Sequence, residues 1–203
     1  MSELLAVGSD SRLLILDPVG GASGDMLLAA LLDAGASEQT VTDCWRLVLP
    51  NAHARLDLRS VQRGHLLARQ AVFHIDPSAS DQAPGADQSV RGQAILNRIR
   101  NAPVPPSVSR LANAVFERLL IAEAAVHGTA PKDVVLHQLG ELDTILDIVG
   151  IAAAMVDLKI GRMLVPALPV GFGGLTGRSH ERLPLPAPAT LELLKGFGLR
   201  PSA

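Results

Sequence analysis

The sequence predicts an α/β domain of mixed type, a mixed β-sheet with a hairpin, covered by several helices. Three observations lead there. Residues 13–16 (Leu-Leu-Ile-Leu) are a short apolar run that stops at Asp17-Pro18 and leads through a glycine turn into helical spacing. A second apolar helix near 141–158 is followed by another short strand pattern near 163–165. Between these two units, residues 54–75 alternate irregularly about a turn at Arg63-Gly64, the mark of an antiparallel hairpin. Strands and helices mixed in this order suggest a sheet layered with helices.

The elements follow from their punctuation. The first helix spans about 25–34 and ends at Gly35, which suits the left-handed position after a helix. Ser37 caps a second helix running to Leu49, which Pro50 stops. Residues 76–90, small, polar and proline-containing, read as a flexible loop inside a single domain of residues 1–203. Residues 91–100 are helical in pattern. Pro105-Pro106 opens a longer helix over 107–127, closed by Gly128. Residues 166–190 are dense in proline and glycine, and 191–195 make a final helical turn or two.

Composition narrows the function classes. The chain has 203 residues, 48% hydrophobic and 2% aromatic, with a net charge of −2. Four Phe, one Trp and no Tyr leave neither a basic face nor a stacking platform for nucleic acid. Asp, Lys or Pro interrupts every apolar run before the ~20 residues that a membrane span needs, and residues 1–16 carry no secretion signal. The single cysteine, Cys44, excludes an internal disulfide and suits a reducing cytoplasm. No serine has a His/Asp context, so nucleophilic catalysis has no support and no catalytic residue is assigned.

Three stretches carry chemistry. The first is Asp17-Pro18-Val19-Gly20-Gly21-Ala22-Ser23-Gly24-Asp25, a glycine turn into a helix N-terminus bracketed by carboxylates. Backbone N–H groups there suit an anion, and the two acids suit a cation or a cation-bound phosphate. The competing reading is that Ser23 or Asp25 simply caps the helix. The second stretch places Asp143 and Asp147 four residues apart on an apolar helix, after His137. Like charges at that spacing repel, so a positive partner is expected between them. A divalent ion held by carboxylate and imidazole is one partner, an arginine the other. Gly150 and Ala154 continue the aspartate face and would let a ligand or backbone approach, while Leu142, Ile145, Leu146, Val149, Ala153 and Val156 form the core face. The third stretch, 165–190, holds Arg178, His180 and Arg182 between a glycine-rich loop and alternating prolines; these are ligand-wall residues or a solvated basic patch. The other histidines lack metal-ligand spacing, and His127 suits a helix C-terminus.

In order along the chain, LLILDPVGGASGDMLLAALLDAGA at 13–36, AEAAVHG at 122–128, LHQLGELDTILDIVGIAAAMVDL at 136–158 and LPVGFGG with HERLPLPAPATLELLKG between 168 and 196 resemble the N-terminal half of the LarC family of nickel-insertion proteins. The resemblance implies nickel insertion into a pyridinium bisthiocarboxylate mononucleotide, the precursor of the nickel-pincer nucleotide cofactor, by a chelatase-type lyase in the cytoplasm. On it, Asp17, Asp25, His137, Asp143 and Asp147 surround Ni2+, while Gly20, Gly21, Ser23, Gly24, Arg178, His180 and Arg182 bind the phosphorylated precursor. CTP and Mg2+ or Mn2+ belong to the family's C-terminal region and enter only if such a region is supplied, as by a separate C-terminal-half subunit. A homo-oligomer is expected, with no nucleic acid and no membrane. A binding module that only holds the precursor or a partner chain, or a degenerate paralogue, is the alternative. The chain departs from the family pattern at Pro18, where a cysteine is usual, and over Val135-Leu136-His137-Gln138, which stands in register with His-Phe-His-Glu, so that one histidine is replaced and the acid becomes an amide. His180-Glu181 stands for His-Gly, and residues 76–90 lack a histidine-rich insertion.

Overall fold

The computed structural model describes residues 10–19, 21–75, 90–136, 142–176 and 182–202, without the side chains of Val90, Leu175, Thr176, Arg182 and Leu183. The predicted polar loop at 76–90 therefore lies outside the described residues except for the backbone of Val90.

Strand β1 (Arg12–Ile15) leads through the glycine turn into helix α1 (Gly24–Asp33), and Gly35 leaves it at φ 103°. Only a residue without Cβ tolerates that conformation at no steric cost. Helix α2 (Glu38–Val48) starts where predicted: Ser37 Oγ accepts a hydrogen bond from the Thr40 N–H at 3.2 Å. Strands β2 (Arg55–Arg63) and β3 (Leu66–His74) form the expected antiparallel hairpin, with Arg63 opposite Leu66. This register puts the two-residue turn at Gly64-His65, one position later than the sequence suggested, and Gly64 takes the left-handed φ of 59°. After β4 (Val90–Arg91) come α3 (Gly92–Asn101) and α4 (Pro106–His127), the latter ended by Gly128 at φ 65°. Strand β5 (Val135–Leu136) precedes α5 (Leu142–Asp157) and β6 (Ile160–Leu164). The proline- and glycine-dense region holds β7 (Leu168–Val170), β8 (Gly173–Thr176) and β9 (Arg182–Leu185), followed by α6 (Pro188–Leu194) and β10 (Leu199–Pro201).

The mixed α/β class holds, with parallel and antiparallel pairing both present. Among the described residues the strands form five two-stranded pairs rather than one continuous sheet: β1–β6 and β7–β10 are parallel, and β2–β3, β4–β5 and β8–β9 antiparallel. The core is built between helices instead. Helix α5 packs on α1, α2 and α4, and Leu28, Trp45, Phe116 and Leu146 are fully buried there. Each such side chain contributes about 1.5–3 kcal/mol by leaving water. The hairpin closes over α2, where the Phe73 and Trp45 rings meet edge to face, their centroids 5.3 Å apart. No described helix is long and apolar enough to cross a membrane.

Helix α5 is buried on more than its predicted core face. Ile145, Leu146, Val149 and Ala153 are buried as expected, and so are Gly150 and Ala154, which continue the aspartate face. The space over Gly150 is filled by the protein itself: a Cβ there would stand 3.0 Å from Trp45 Nε1 and 3.1 Å from Leu28 Cδ2. Gly150 thus admits the α1 and α2 side chains, not a ligand.

Candidate functional site

The site is the contact between the start of α1 and the first turns of α5. Gly24, the first residue of α1, lies against Asp147: a Cβ on Gly24 would stand 2.2 Å from Asp147 Oδ2 and 2.4 Å from its Cγ. The backbone of Gly24 is not at positive φ. Glycine is required here for close approach, because any side chain would displace the carboxylate. The glycine-turn motif and the Asp-x-x-x-Asp motif, more than a hundred residues apart in sequence, meet through this one missing Cβ.

Asp147 is the electrostatic centre. Its carboxylate is half-buried, and its Oδ1 is buried without a hydrogen-bond partner among the described residues. Burial, then the nearby charges of Asp25 and Asp143, push its pKa up to about 7. A carboxylate neutralised by an arginine would move the other way. Among the described residues Asp147 forms no ion pair, and Asp143, exposed on the first turn of α5, accepts only the Thr144 N–H at 2.8 Å. Asp25, half-buried on the first turn of α1, accepts a hydrogen bond from Ser23 Oγ. Ser23 occupies the N-cap position with extended backbone, but its side chain caps no N–H. The predicted capping role therefore gives way to a Ser23–Asp25 contact.

The structure brings together Asp25, Asp143, Asp147, Ser23 and Gly24. Asp17 is exposed beyond the end of β1 and is not among the groups that shift Asp147. Gly21 takes φ 101° with open space around its Cα. Arg182 lies in β9 opposite Thr176. Gly20, His137, Arg178 and His180 lie outside the described residues. Among the described residues no three His, Cys, Asp or Glu side chains converge closely enough to hold a metal ion by themselves. Cys44 is buried, and burial, aided by Asp43, raises its pKa, which makes this thiol a poor ligand.

Two residues matter that sequence reasoning did not single out. Arg200, half-buried in β10, donates from Nη2 to the Pro18 carbonyl at 3.1 Å and from Nε to the Ala167 carbonyl at 3.2 Å. It ties the C-terminal β7–β10 pair to the glycine turn. Trp45 donates from Nε1 to the Leu146 carbonyl at 2.8 Å, which sets α2 against α5 one residue before Asp147. The only tryptophan of an aromatic-poor chain was a signal for the second. A lone arginine near the end of the chain offered none for the first. Two of the positions that depart from the family pattern are also filled from within, since Pro18 is buried and Leu136 is part of the core.

Carboxylates crowded on apolar helices, with no ion pair to Asp147 among the described residues, make a site in this α/β domain that a cation would stabilise. The family model for "Nickel insertion protein" matches residues 14–202, and the chain belongs to that family. It is 38% identical over 185 residues, 90% of its length, to a protein of Pelobacter propionicus, and 36% identical over 189 residues, 92% of its length, to one of Geobacter sulfurreducens; both bear the name "Putative nickel insertion protein". A Nocardioides relative, 36% identical over 181 residues and 89% of this chain, is named "Pyridinium-3,5-bisthiocarboxylic acid mononucleotide nickel insertion protein". These matches cover 45%, 46% and 44% of the relatives, so the chain spans about half the length of the curated relatives it matches. No solved structure matches it.

Proposed function

We propose that this chain handles Ni2+ for insertion into the pyridinium bisthiocarboxylate mononucleotide precursor, as the nickel-holding part of a cytoplasmic chelatase-type lyase. The observation that carries the proposal is Asp147: half-buried, unpartnered at Oδ1 among the described residues and pushed up to about 7 by burial, Asp25 and Asp143. Near neutral pH such a group holds a proton about half the time. An arriving divalent ion displaces that proton and supplies the missing counter-charge. Asp25, Asp143 and Asp147 offer hard oxygen donors, which leave the ion exchangeable toward softer sulfur donors. In this reading His137 and Asp17 complete the coordination, and the precursor's phosphate takes the N–H groups of Gly20, Gly21 and Gly24, with Ser23, Arg178, His180 and Arg182 assisting. In this reading CTP, with Mg2+ or Mn2+, enters only if a C-terminal region is supplied.

The second reading, a module that holds the precursor without performing insertion, is favoured by one observation: the three aspartates do not by themselves close into a metal-holding group. Nickel titration and metal analysis of the purified chain, with and without the precursor, separate the two. The first reading expects nickel binding by the chain alone, lost when Asp143 and Asp147 are both changed to Asn. Binding of precursor without nickel binding would select the second. Nickel binding that survives the double substitution would reject the assigned acids.

A further inference from the structure

Among the described residues the parallel pair β1–β6 is covered on one side only. Leu14 packs against the core, whereas its neighbours Leu13 and Ile15 face the other way and are 55% and 65% exposed. Leu164, paired with Ile15, is 56% exposed, and Arg162, paired with Leu13, is exposed on the same face. Both outer edges of this pair lack a strand partner among the described residues. Parallel strands ordinarily have both faces covered, and a two-stranded sheet is marginal by itself. Val19 and Met26, in the turn and helix that β1 leads into, are also exposed. The apolar surface therefore runs along the chain from β1 toward Asp25.

We infer that this face docks the polypeptide that makes up the remainder of a full-length relative, presenting apolar side chains to Leu13, Ile15 and Leu164 and an acidic group to Arg162. The occupant follows from length and charge. More than half of each relative's length lies outside the part it shares with this chain. A second copy fits poorly, because self-packing would bring the two Arg162 charges into one small apolar interface. The inference rests on membership of the family and adds the partner's seat to the proposed function; its test reads no nickel, so either can fail alone.

The test compares the chain with a chimera in which it replaces the matched part of the Pelobacter propionicus relative, by hydroxyl-radical footprinting and sedimentation. The inference expects Leu13, Ile15 and Leu164 to be reactive in the chain, whatever oligomeric state sedimentation reads. In the chimera their reactivity falls several-fold, while the hairpin-tip residues Leu66 and Leu67 react alike in both. Leu13→Arg with Leu164→Arg restores reactivity of the strand pair in a chimera that still melts cooperatively. Equal reactivity in chain and chimera overturns the inference. So does protection in the chain alone, which would show that the face is covered without the remainder.

Discussion

Replacing Asp147 by Asn tests the electrostatic reading most directly. Raising this carboxyl from an ordinary 3.8 to about 7 corresponds, at about 1.4 kcal/mol per pH unit, to a ceiling of about 4 kcal/mol. The group is half-buried, so water screens part of this and about 2–3 kcal/mol is expected. The sign follows from proton counting. Between about pH 4 and pH 7 the unfolded chain has released the Asp147 proton while the folded chain retains it. The unfolded state then binds fewer protons, so stability falls as pH rises through this window and levels off above it. Asp147→Asn removes that fall. Urea unfolding of both proteins at pH 4 and pH 8 should show the variant gaining about 2–3 kcal/mol relative to wild type across the interval, with titrating groups remote from Asp147 cancelling in the comparison. Added nickel should stabilise the wild type more at pH 8 than at pH 6 and leave the variant unchanged. Parallel stability profiles, or a variant that keeps the full nickel effect, would refute the reasoning.

The same contact predicts that Gly24→Ala destabilises by about 1–3 kcal/mol in a thermal melt, because the new Cβ overlaps Asp147, despite alanine's better helix propensity. Adding Asp147→Ala should recover most of that loss, and additive effects would show that the two residues do not touch. Trp45→Phe should cost about 1–3 kcal/mol in urea unfolding through the lost bond to the Leu146 carbonyl and the vacated volume; a neutral result would contradict this anchor. Arg200→Ala should speed amide exchange at Val19, whose N–H bonds the Asp17 carbonyl in the turn that Arg200 holds, and unchanged exchange there would count against the tether.

Much of the fold was legible because its signals are local. Gly35, Gly64 and Gly128 occur where the backbone turns left-handed, Ser37 caps α2, and Pro106 begins α4; each acts within a turn of its own position. The strand partners were not legible. Runs of two to five residues such as β4 and β6 carry no mark of what they pair with, and a helix-built core left them as separate pairs among the described residues. Gly150 shows the same limit: a small residue announces close approach, and only packing shows that Trp45 and Leu28 fill the space.

The sequence by itself determined the family, the helix ends and the two carboxylates at i and i+4 that no apolar helix carries without consequence. These depend on side-chain identity and on spacing within one element, which survive without coordinates. Tertiary structure decided which acids share a site. It set Asp25 beside Asp147 by docking α1 on α5 through Gly24, and brought Arg200 from the end of the chain to the Pro18 carbonyl. The physical reason is that electrostatic coupling depends on distance and burial, and both arise from how helices pack rather than from their separation along the chain.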